Sequence, residues 1–231
     1  MADPKRHQPR MSPERARRLR RWHLEADREL RNGLPRRMLY LGLDLRIPEG
    51  VFSPSGGGPF YPLIRAEARP SDRVLDMGTG CGIGAILAAA QSRDVVGVDV
   101  NPIAVEAAAA NASRNGVGDR ITFRQSDVFD AVDGRFDLIL FDPPYRWYKA
   151  RDLLELSTAD ENYGVLTRFL GHLRDHLAPG GRAMLQFATS GDIDYLYALI
   201  DAAGLQKEVV ASEDLGSEDL TVTYFVFRLT P

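Results

Sequence analysis

Short apolar runs alternate with helix-forming segments along most of this chain, and this alternation limits the fold more than any other feature. Strands are expected at residues 74–77, 95–100, 121–125, 136–141 and 182–187, and helices at 84–91, 102–115 and 163–177. Strands that alternate with helices form βαβ units, which build a mostly parallel sheet covered by helices on both faces. The sequence therefore predicts an α/β, doubly wound fold.

The C-terminal part of the chain follows a different pattern. Residues 207–211 and 220–229 are strand patterns separated only by a polar loop, so they should pair antiparallel. They bring the expected sheet to seven strands with a C-terminal antiparallel hairpin. We predict one core-forming domain at residues 50–231, preceded by a basic helical extension and connector at residues 1–49.

The N-terminal extension carries the signals of one helix. Ser12, Pro13 and Glu14 supply a capping hydroxyl, a proline at the first helical position and an acid in the first turn. Residues 32–33, Asn-Gly, supply a stop. The expected apolar face consists of Leu19, Trp22, Ala26 and Leu30.

Charge is distributed unevenly along the chain. Residues 1–37 contain 12 Lys and Arg against 5 Asp and Glu, whereas the remaining residues contain 17 against 27. Such asymmetry fits an amphipathic helix with a solvated basic side, and it also fits contact with nucleic acid or another acidic partner.

Composition argues against several classes of protein. No apolar stretch approaches the ~20 residues that span a bilayer, and the first residues lack the apolar block of a secretory signal. We therefore expect no membrane partner and a cytoplasmic location. The single cysteine, Cys81, excludes an intrachain disulfide and a cysteine-cluster zinc site. His172 and His176 stand at helical spacing, but a solvated helix face is the simpler interpretation, and no metal site is predicted.

Residues 74–84, VLDMGTGCGIG, place a strand, an acid and three alternating glycines before a helix. Glycine permits a tight turn and close approach of a ligand, and the helix N-terminus offers unpaired N–H groups. This pattern alone would serve NAD, a flavin or no ligand. Asp76 narrows the choice, because a carboxylate just before Gly78 would repel a pyrophosphate but suits a ligand with ammonium and sulfonium centres.

Two further acids end strands at the same edge of the expected sheet. Asp99 lies 23 residues after Asp76, where it can accept hydrogen bonds from both ribose hydroxyls. Asp127 ends the third strand and could contact an adenine amine.

These motifs resemble those of the class I S-adenosylmethionine-dependent methyltransferases, over about residues 50–231. The resemblance implies S-adenosylmethionine as the cofactor and a cofactor loop formed by Gly78, Gly80 and Gly82. It places Asp76 near the amino-acid end of the cofactor and Asp99 at the ribose. Asp127 and Asp142 complete the cofactor-binding set, and NAD binding by a dehydrogenase is the alternative.

Residues 138–148, LILFDPPYRWY, are an apolar strand that stops at an acid, two prolines and a group of aromatics. Proline cannot continue a sheet, so Asp142 is expected to be the last strand residue. A rigid loop then follows at the carboxyl edge, where open α/β sheets bind ligands.

The DPPY loop offers the groups that methyl transfer to nitrogen needs. An amino or amide nitrogen must be turned until its lone pair faces the methyl group. The carboxylate of Asp142 and the carbonyl of Pro143 can accept its hydrogens and hold it in that orientation. Tyr145 can stack on a planar target, and Trp147 and Tyr148 are candidate pocket walls.

The loop resembles that of amino-methyltransferases carrying Asn or Asp before Pro-Pro-Tyr. These act on glutamine in release factors, on adenine in DNA or RNA, or on guanine in ribosomal RNA. Together with GVFSP at residues 50–54, FDLILFDPPY is most similar to the release-factor glutamine methyltransferases (HemK-like). GVFS is also similar to the ribosomal guanine enzymes. The resemblance implies N-methylation of an amide or amino nitrogen, foremost in a protein side chain of the glutamine type.

The chain departs from the glutamine enzymes at two places. Asp142 stands where they usually carry Asn, and Gly56, Gly57 and Gly58 replace an acidic or hydroxyl pattern. A carboxylate would suit a more basic target, such as a guanidine or primary amine, whose proton it could accept.

Two alternatives therefore stay open beside a protein acceptor. In an rRNA, tRNA or DNA base methyltransferase, the basic N-terminal helix would dock RNA or the ribosome. In a small-molecule N-methyltransferase of natural-product type, it would form a lid.

Overall fold

A computed structural model describes residues 7–52, 54, 58–217 and 220–231. Expectations that concern Ser53, Gly56 and Gly57 lie outside the described residues. The helices are α1 (Pro13–Asn32), α2 (Phe60–Glu67), α3 (Ile83–Ala89), α4 (Pro102–Arg114), α5 (Leu153–Leu156), α6 (Gly164–His176) and α7 (Ile193–Ala202). The strands are β1 (Arg36–Tyr40), β2 (Leu43–Ile47), β3 (Arg73–Met77), β4 (Asp94–Asp99), β5 (Ile121–Gln125), β6 (Phe136–Phe141), β7 (Leu177–Ala188), β8 (Gln206–Ser217) and β9 (Leu220–Thr230).

A seven-stranded sheet runs through the centre of the molecule in the order β5-β4-β3-β6-β7-β9-β8. Strands β3 to β7 pair in parallel, whereas β9 pairs antiparallel with both β7 and β8. The predicted doubly wound α/β fold and its C-terminal antiparallel hairpin are confirmed. Because the chain proceeds to one side from β3 and returns to the other side at β6, the boundary between these two strands is the topological switch point.

Apolar residues cover both faces of the sheet. One face packs against α2, α3, α4 and the β1–β2 hairpin, with Leu45, Ile64 and Leu87 fully buried. The other face packs against α6 and α7, with Leu166 and Ile200 fully buried. Helices α2, α5 and α7 and the β1–β2 hairpin were not among the expected elements.

Several expected boundaries differ in the structure. Strand β8 runs to Ser217 instead of ending at residue 211, and Asp127 lies beyond β5, which ends at Gln125. Strand β6 ends at Phe141, so Asp142 is the first residue after the strand instead of its last. Strand β7 begins at Leu177 and includes the Pro-Gly-Gly residues that were expected to form a turn before it. Pairing with β6 continues there across an irregularity in register, and Gly181 permits it because a Cβ would lie 2.8 Å from the carbonyl oxygen of Phe136.

Helix α1 begins and ends as expected, since the Ser12 hydroxyl accepts a hydrogen bond from the Arg15 N–H at 3.2 Å and the helix ends at Asn32. Leu19 is fully buried beside Ala188 and Val222. The rest of the buried stripe differs from the expectation, because it contains His23 and Asp27 instead of apolar residues. The other expected apolar residues of the helix, Trp22, Ala26 and Leu30, are half-buried.

An ion cluster closes the amino end of the sheet. Arg182, only 5% exposed, donates to Glu67 at 2.6 Å and to Asp72 at 2.9 Å. Arg228 donates to the second oxygen of Glu67 at 2.8 Å. These contacts fix the last residue of α2 to β7 and β9.

None of the helices in the described ranges is long and apolar enough to cross a membrane.

Candidate active site

A cavity of about 730 Å³ opens at the carboxyl ends of the parallel strands, beside the switch point between β3 and β6. Most of the predicted site residues line it: Gly78, Gly80, Asp99, Asp127, Asp142, Pro143 and Tyr145. Asp76 and Gly82 are not among its lining residues. The structure thus brings the glycine loop and the DPPY loop to one cavity, as the sequence predicts.

The glycine loop keeps its backbone close to the cavity. Gly78 and Gly80 have φ values of +66° and +54°, a region that side-chain-bearing residues rarely adopt. The N–H of Gly80 donates to Asp99 Oδ2 at 2.9 Å, which ties the loop after β3 to the end of β4.

Gly82 and Asp76 stabilise this loop from behind. A Cβ at Gly82 would lie 2.9 Å from the Cα of Ala108, so the glycine permits contact with α4. The carboxylate of Asp76 accepts from the Thr79 hydroxyl at 2.6 Å and from the Ala85 N–H at 2.8 Å. Burial raises the pKa of Asp76 to about 7. Direct contact between Asp76 and a ligand stays a prediction, since these hydrogen bonds give its carboxylate a role within the loop.

The carboxylate of Asp99 is held from two sides. Its two oxygens accept from the N–H groups of Asn101 and Gly80, each at 2.9 Å. Burial raises its pKa above the ordinary aspartate value. Each oxygen keeps acceptor capacity after these bonds, so the fixed carboxylate can accept a pair of neighbouring hydroxyls from the cavity.

Asp127 lies at the rim of the cavity. Its side chain is 47% exposed and accepts from Arg168 at 2.7 Å. An exposed ion pair of this kind is screened by water and contributes little free energy. A ligand amine at this position would compete with Arg168.

Asp142 is held between two donors that the sequence analysis did not identify. Oδ1 accepts from the Gln186 amide at 2.9 Å, and Oδ2 accepts from the Tyr61 hydroxyl at 3.3 Å. Burial raises the pKa of Asp142 to about 6. Gln186 could have been recognised as an amide within the apolar strand AMLQFA, whereas nothing local marks Tyr61. Gly58, the described member of the three glycines, lies beside this group, since a Cβ there would be 3.5 Å from Gln186 Oε1.

Tyr145 packs its ring against Phe187, with centroids 5.5 Å apart, and a hydrogen bond joins its hydroxyl to that of Tyr224. Tyr224 also lines the cavity. Trp147 and Tyr148, the expected pocket walls, are not among the residues that line the cavity. Their ring centroids lie 6.2 and 6.1 Å from that of the buried His23.

Helix α1 forms one wall of the cavity through Trp22, Glu25, Ala26, Glu29 and Leu30. Asp27 holds the helix in place, because its Oδ2 accepts from Arg31 and from Arg151, each at 2.9 Å. Arg31 also pairs with Asp152, beside α5, at 2.9 Å. The basic extension therefore contributes directly to the cavity.

Within the described ranges, no group of three or more His, Cys, Asp or Glu side chains could hold a metal ion.

The fold and this cavity define a class I methyltransferase. The model of the family "Methyltransferase small domain" matches residues 49–212, and the chain belongs to this family. It is therefore a methyltransferase, which confirms the resemblance, and the family implies S-adenosylmethionine as methyl donor. The residues present fit that donor, because glycine backbone lines the cavity beside a fixed carboxylate with free acceptor capacity.

Curated relatives include methyltransferases with named protein acceptors. A Methanocaldococcus jannaschii protein, provisionally described as a protein N5-glutamine methyltransferase, is 30% identical over 78% of this chain and 94% of its own length. The release factor glutamine methyltransferase of Cereibacter sphaeroides is 34% identical over 68% of this chain, which spans 61% of that protein.

Solved structures share the fold at low sequence identity. The ribosomal protein L11 methylase of Lactobacillus delbrueckii subsp. bulgaricus aligns with a TM-score of 0.57 and 21% identity, covering 79% of this chain and 83% of that one. A tRNA methyltransferase of M. jannaschii aligns with a TM-score of 0.63 and 20% identity, covering 84% and 53%.

Proposed function

We propose that this protein is an S-adenosylmethionine-dependent N-methyltransferase that acts on an amide or amino nitrogen, foremost in a glutamine-type side chain of a protein. One observation carries the proposal: the carboxylate of Asp142 lines the same cavity as Gly78, Gly80 and Asp99. Residues 50–231 would form the catalytic domain, and residues 1–49 would complete its cavity.

The cofactor would occupy the part of the cavity beside the glycine loop. Asp99 would accept hydrogen bonds from the ribose hydroxyls, and the backbone of Gly78 and Gly80 would border the rest of the molecule. Asp127 would contact the adenine amine from the rim. When bound there, S-adenosylmethionine supplies an electrophilic methyl group.

Asp142 would orient the acceptor nitrogen. Gln186 and Tyr61 fix the carboxylate, and each of its oxygens retains capacity for a further hydrogen bond. Hydrogens of the acceptor nitrogen would be held by this carboxylate and by the carbonyl of Pro143, which leaves the lone pair facing the methyl group. With a pKa of about 6, Asp142 is mostly ionised at neutral pH and can act as this acceptor. Tyr145 would pack against the acceptor from the side.

A glutamine-type acceptor in a protein is supported by the relatives. The M. jannaschii and C. sphaeroides proteins are named as glutamine methyltransferases, and so is a Bradyrhizobium diazoefficiens relative that acts on ribosomal protein uL3. The last is 34% identical over 48% of this chain and 39% of its own length.

Labelled S-adenosylmethionine and a fractionated lysate test the proposal directly. We expect label in protein, at glutamine, and loss of labelling in Asp142→Ala. Label in RNA or in small molecules only would contradict the protein acceptor. The variant Asp142→Asn then tests whether the acceptor nitrogen is neutral or basic, because asparagine keeps an oxygen that accepts hydrogen bonds but has no charge. Near-normal turnover fits a glutamine amide, whereas loss to the Asp142→Ala level fits a guanidine or primary amine.

Methylation of a nucleic-acid base is the second candidate, and the exposed basic side of α1 favours it. Arg17, Arg21 and Arg28 are exposed and lie off the stripe that lines the cavity. Replacing all three by Glu should leave the cavity intact and remove a docking surface for phosphates. Selective loss of a salt-dependent RNA affinity would support this candidate. If affinity for RNA and labelling of protein are both unchanged, α1 does not bind RNA and serves only as a wall or lid of the cavity.

A further inference from the structure

Arg146 follows the DPPY sequence directly and occupies a fixed position in the cavity wall. Its N–H donates to the Thr158 carbonyl at 3.1 Å, and its own carbonyl accepts from the Asp160 N–H at 2.8 Å. The residue lines the cavity and is only 8% exposed.

The guanidinium of Arg146 is buried without a counter-ion. It donates to the Tyr148 hydroxyl, but its Nη1 has no hydrogen-bond partner, and no carboxylate in the described part of the chain forms an ion pair with it. The other deeply buried arginine, Arg182, pairs with both Glu67 and Asp72. A buried cation without a carboxylate partner is costly, so the guanidinium of Arg146 in the cavity wall points to a ligand that supplies the negative charge.

Arg146 and Asp142 carry opposite charges, and both change the pKa of the same two hydroxyl groups, those of Tyr145 and Tyr224. Burial raises the pKa of both Tyr145 and Tyr224, the carboxylate of Asp142 raises it further, and the guanidinium of Arg146 opposes the rise. All four residues line the cavity. The acceptor half of the cavity therefore contains one anion, Asp142, and one cation, Arg146. The charges of both affect the two hydrogen-bonded tyrosine hydroxyls.

The imidazole of His23, which lies close enough to feel the charge of Arg146, does not compete for an anion. His23 is fully buried and neither of its ring nitrogens has a hydrogen-bond partner. Burial, and then the charge of Arg146, lowers the pKa of His23 to about 3, so the ring is neutral. It can donate one N–H but adds no positive charge of its own.

We propose that Arg146 binds a carboxylate of the methyl acceptor and thereby selects acceptors that carry this group a few atoms from the methylated nitrogen. The inference rests on the proposed function, because Asp142 is taken to hold the nitrogen. A guanidinium recognises a carboxylate with two parallel N–H donors. Asp142 repels the same carboxylate, so the two charges together orient the acceptor in one direction only.

Two pairs of probes test the selection without knowledge of the natural acceptor. The first pair is Nα-acetyl-L-glutamine and its neutral α-amide, and the second is 4-aminobutanoate and 4-aminobutanamide. Within each pair only the carboxylate changes. Binding of each probe is measured by ligand-observed NMR with the full chain saturated with S-adenosylhomocysteine. In at least one pair, we expect the acid to bind about tenfold more tightly than the amide.

Variants locate this preference in the cavity. Arg146→Met should reduce the acid-to-amide preference to about twofold or less, and Arg146→Lys should keep part of it. Arg36→Met is the control for the loss of another cation from the cavity, since Arg36 also lines the cavity, is half-buried and donates to the Pro54 carbonyl at 2.9 Å. This control should keep the preference. Unchanged affinity for S-adenosylhomocysteine in each variant shows that the fold and the cofactor half survive.

Several outcomes would overturn the proposal. They are equal affinity for acid and amide in both pairs, no binding of any probe, a preference that survives in Arg146→Met, or one lost in Arg36→Met. Methyl transfer to the glutamine probes is recorded separately. A preference without transfer would support the role of Arg146 and contradict the glutamine acceptor, so the two proposals fail independently.

Discussion

Two halves of the cavity are built in different ways: the half that we propose binds the cofactor and the half that we propose binds the acceptor. Gly78, Gly80 and Asp99 come from the ends of two neighbouring strands and are joined by a backbone hydrogen bond. In the acceptor half, Asp142 contacts Tyr61, 81 residues away along the chain, and Gln186, 44 residues away. A common cofactor can be bound by one local motif, whereas an acceptor specific to one enzyme requires side chains from distant elements.

Removal of the Asp142 carboxylate should have the largest effect on the acceptor half alone. We expect kcat of Asp142→Ala to fall by about 10²–10³, because one preorganised acceptor of hydrogen bonds is lost. Affinity for S-adenosylhomocysteine, measured by calorimetry, should fall far less than kcat. Full turnover of this variant on the true acceptor would remove the amino-methyltransferase interpretation of the loop.

Asp99→Ala should have the opposite pattern of effects: it should weaken cofactor binding in the cofactor half. Charge-assisted hydrogen bonds contribute about 1.5–3 kcal/mol each, so affinity for S-adenosylhomocysteine should fall roughly tenfold to a hundredfold. Circular dichroism should show an unchanged fold. An unchanged Kd in calorimetry would contradict the placement of the ribose at this carboxylate.

Asp76→Ala should destabilise the loop that carries the cofactor half. The substitution leaves the Ala85 N–H and the Thr79 hydroxyl without their partner in a buried site, at a cost of about 1–3 kcal/mol in the free energy of unfolding. Urea unfolding measures this loss directly. Normal stability combined with weakened cofactor binding would instead show that Asp76 serves the ligand.

The pH dependence of turnover should show whether Asp142 has to be ionised. Burial holds the pKa of Asp142 at about 6, and only the ionised form accepts hydrogen bonds through both oxygens. As pH falls through 6, kcat should therefore decline toward the value of Asp142→Asn, which also offers a single acceptor oxygen. Asp142→Asn cannot titrate at this position and should lack the part of the decline that Asp142 causes. A wild-type profile that stays flat between pH 5 and 7 while Asp142→Asn is impaired would contradict the assignment.

Asp127→Ala should give the smallest effect and is the matched control for Asp99→Ala. Asp127 also follows a strand at the carboxyl edge of the sheet, but it is exposed and already paired with Arg168. We expect a loss in cofactor affinity of less than about threefold, measured by the same calorimetry. A loss equal to that of Asp99→Ala would show that the adenine contact at the rim is as strong as the ribose contact.

The two halves also differ in how far the sequence predicts them. The glycine loop, Asp99 and the βαβ order follow from local patterns of turn chemistry and strand periodicity. The contacts of Asp142 do not, because Tyr61 lies on an unexpected helix and Gln186 on a strand whose partner is set only by the folded sheet. His23 and Asp27 were missed for a related reason, since polar residues occupy the buried stripe of α1. Arg146, whose charge acts on His23, and Arg151, which donates to Asp27, each lie more than 100 residues away along the chain.

Helix α2 contacts the sheet at both its carboxyl end, where the cavity lies, and its amino end. Tyr61, in its first turn, contacts the catalytic candidate Asp142, and Glu67, its last residue, is fixed by Arg182 and Arg228 at the opposite end. Eight helical residues span only about 12 Å and behave as a rigid rod. We expect a change at Glu67 or Arg182 to shift this helix and with it the hydroxyl of Tyr61. An ion pair that never touches the reactants would then affect the rate of the proposed reaction.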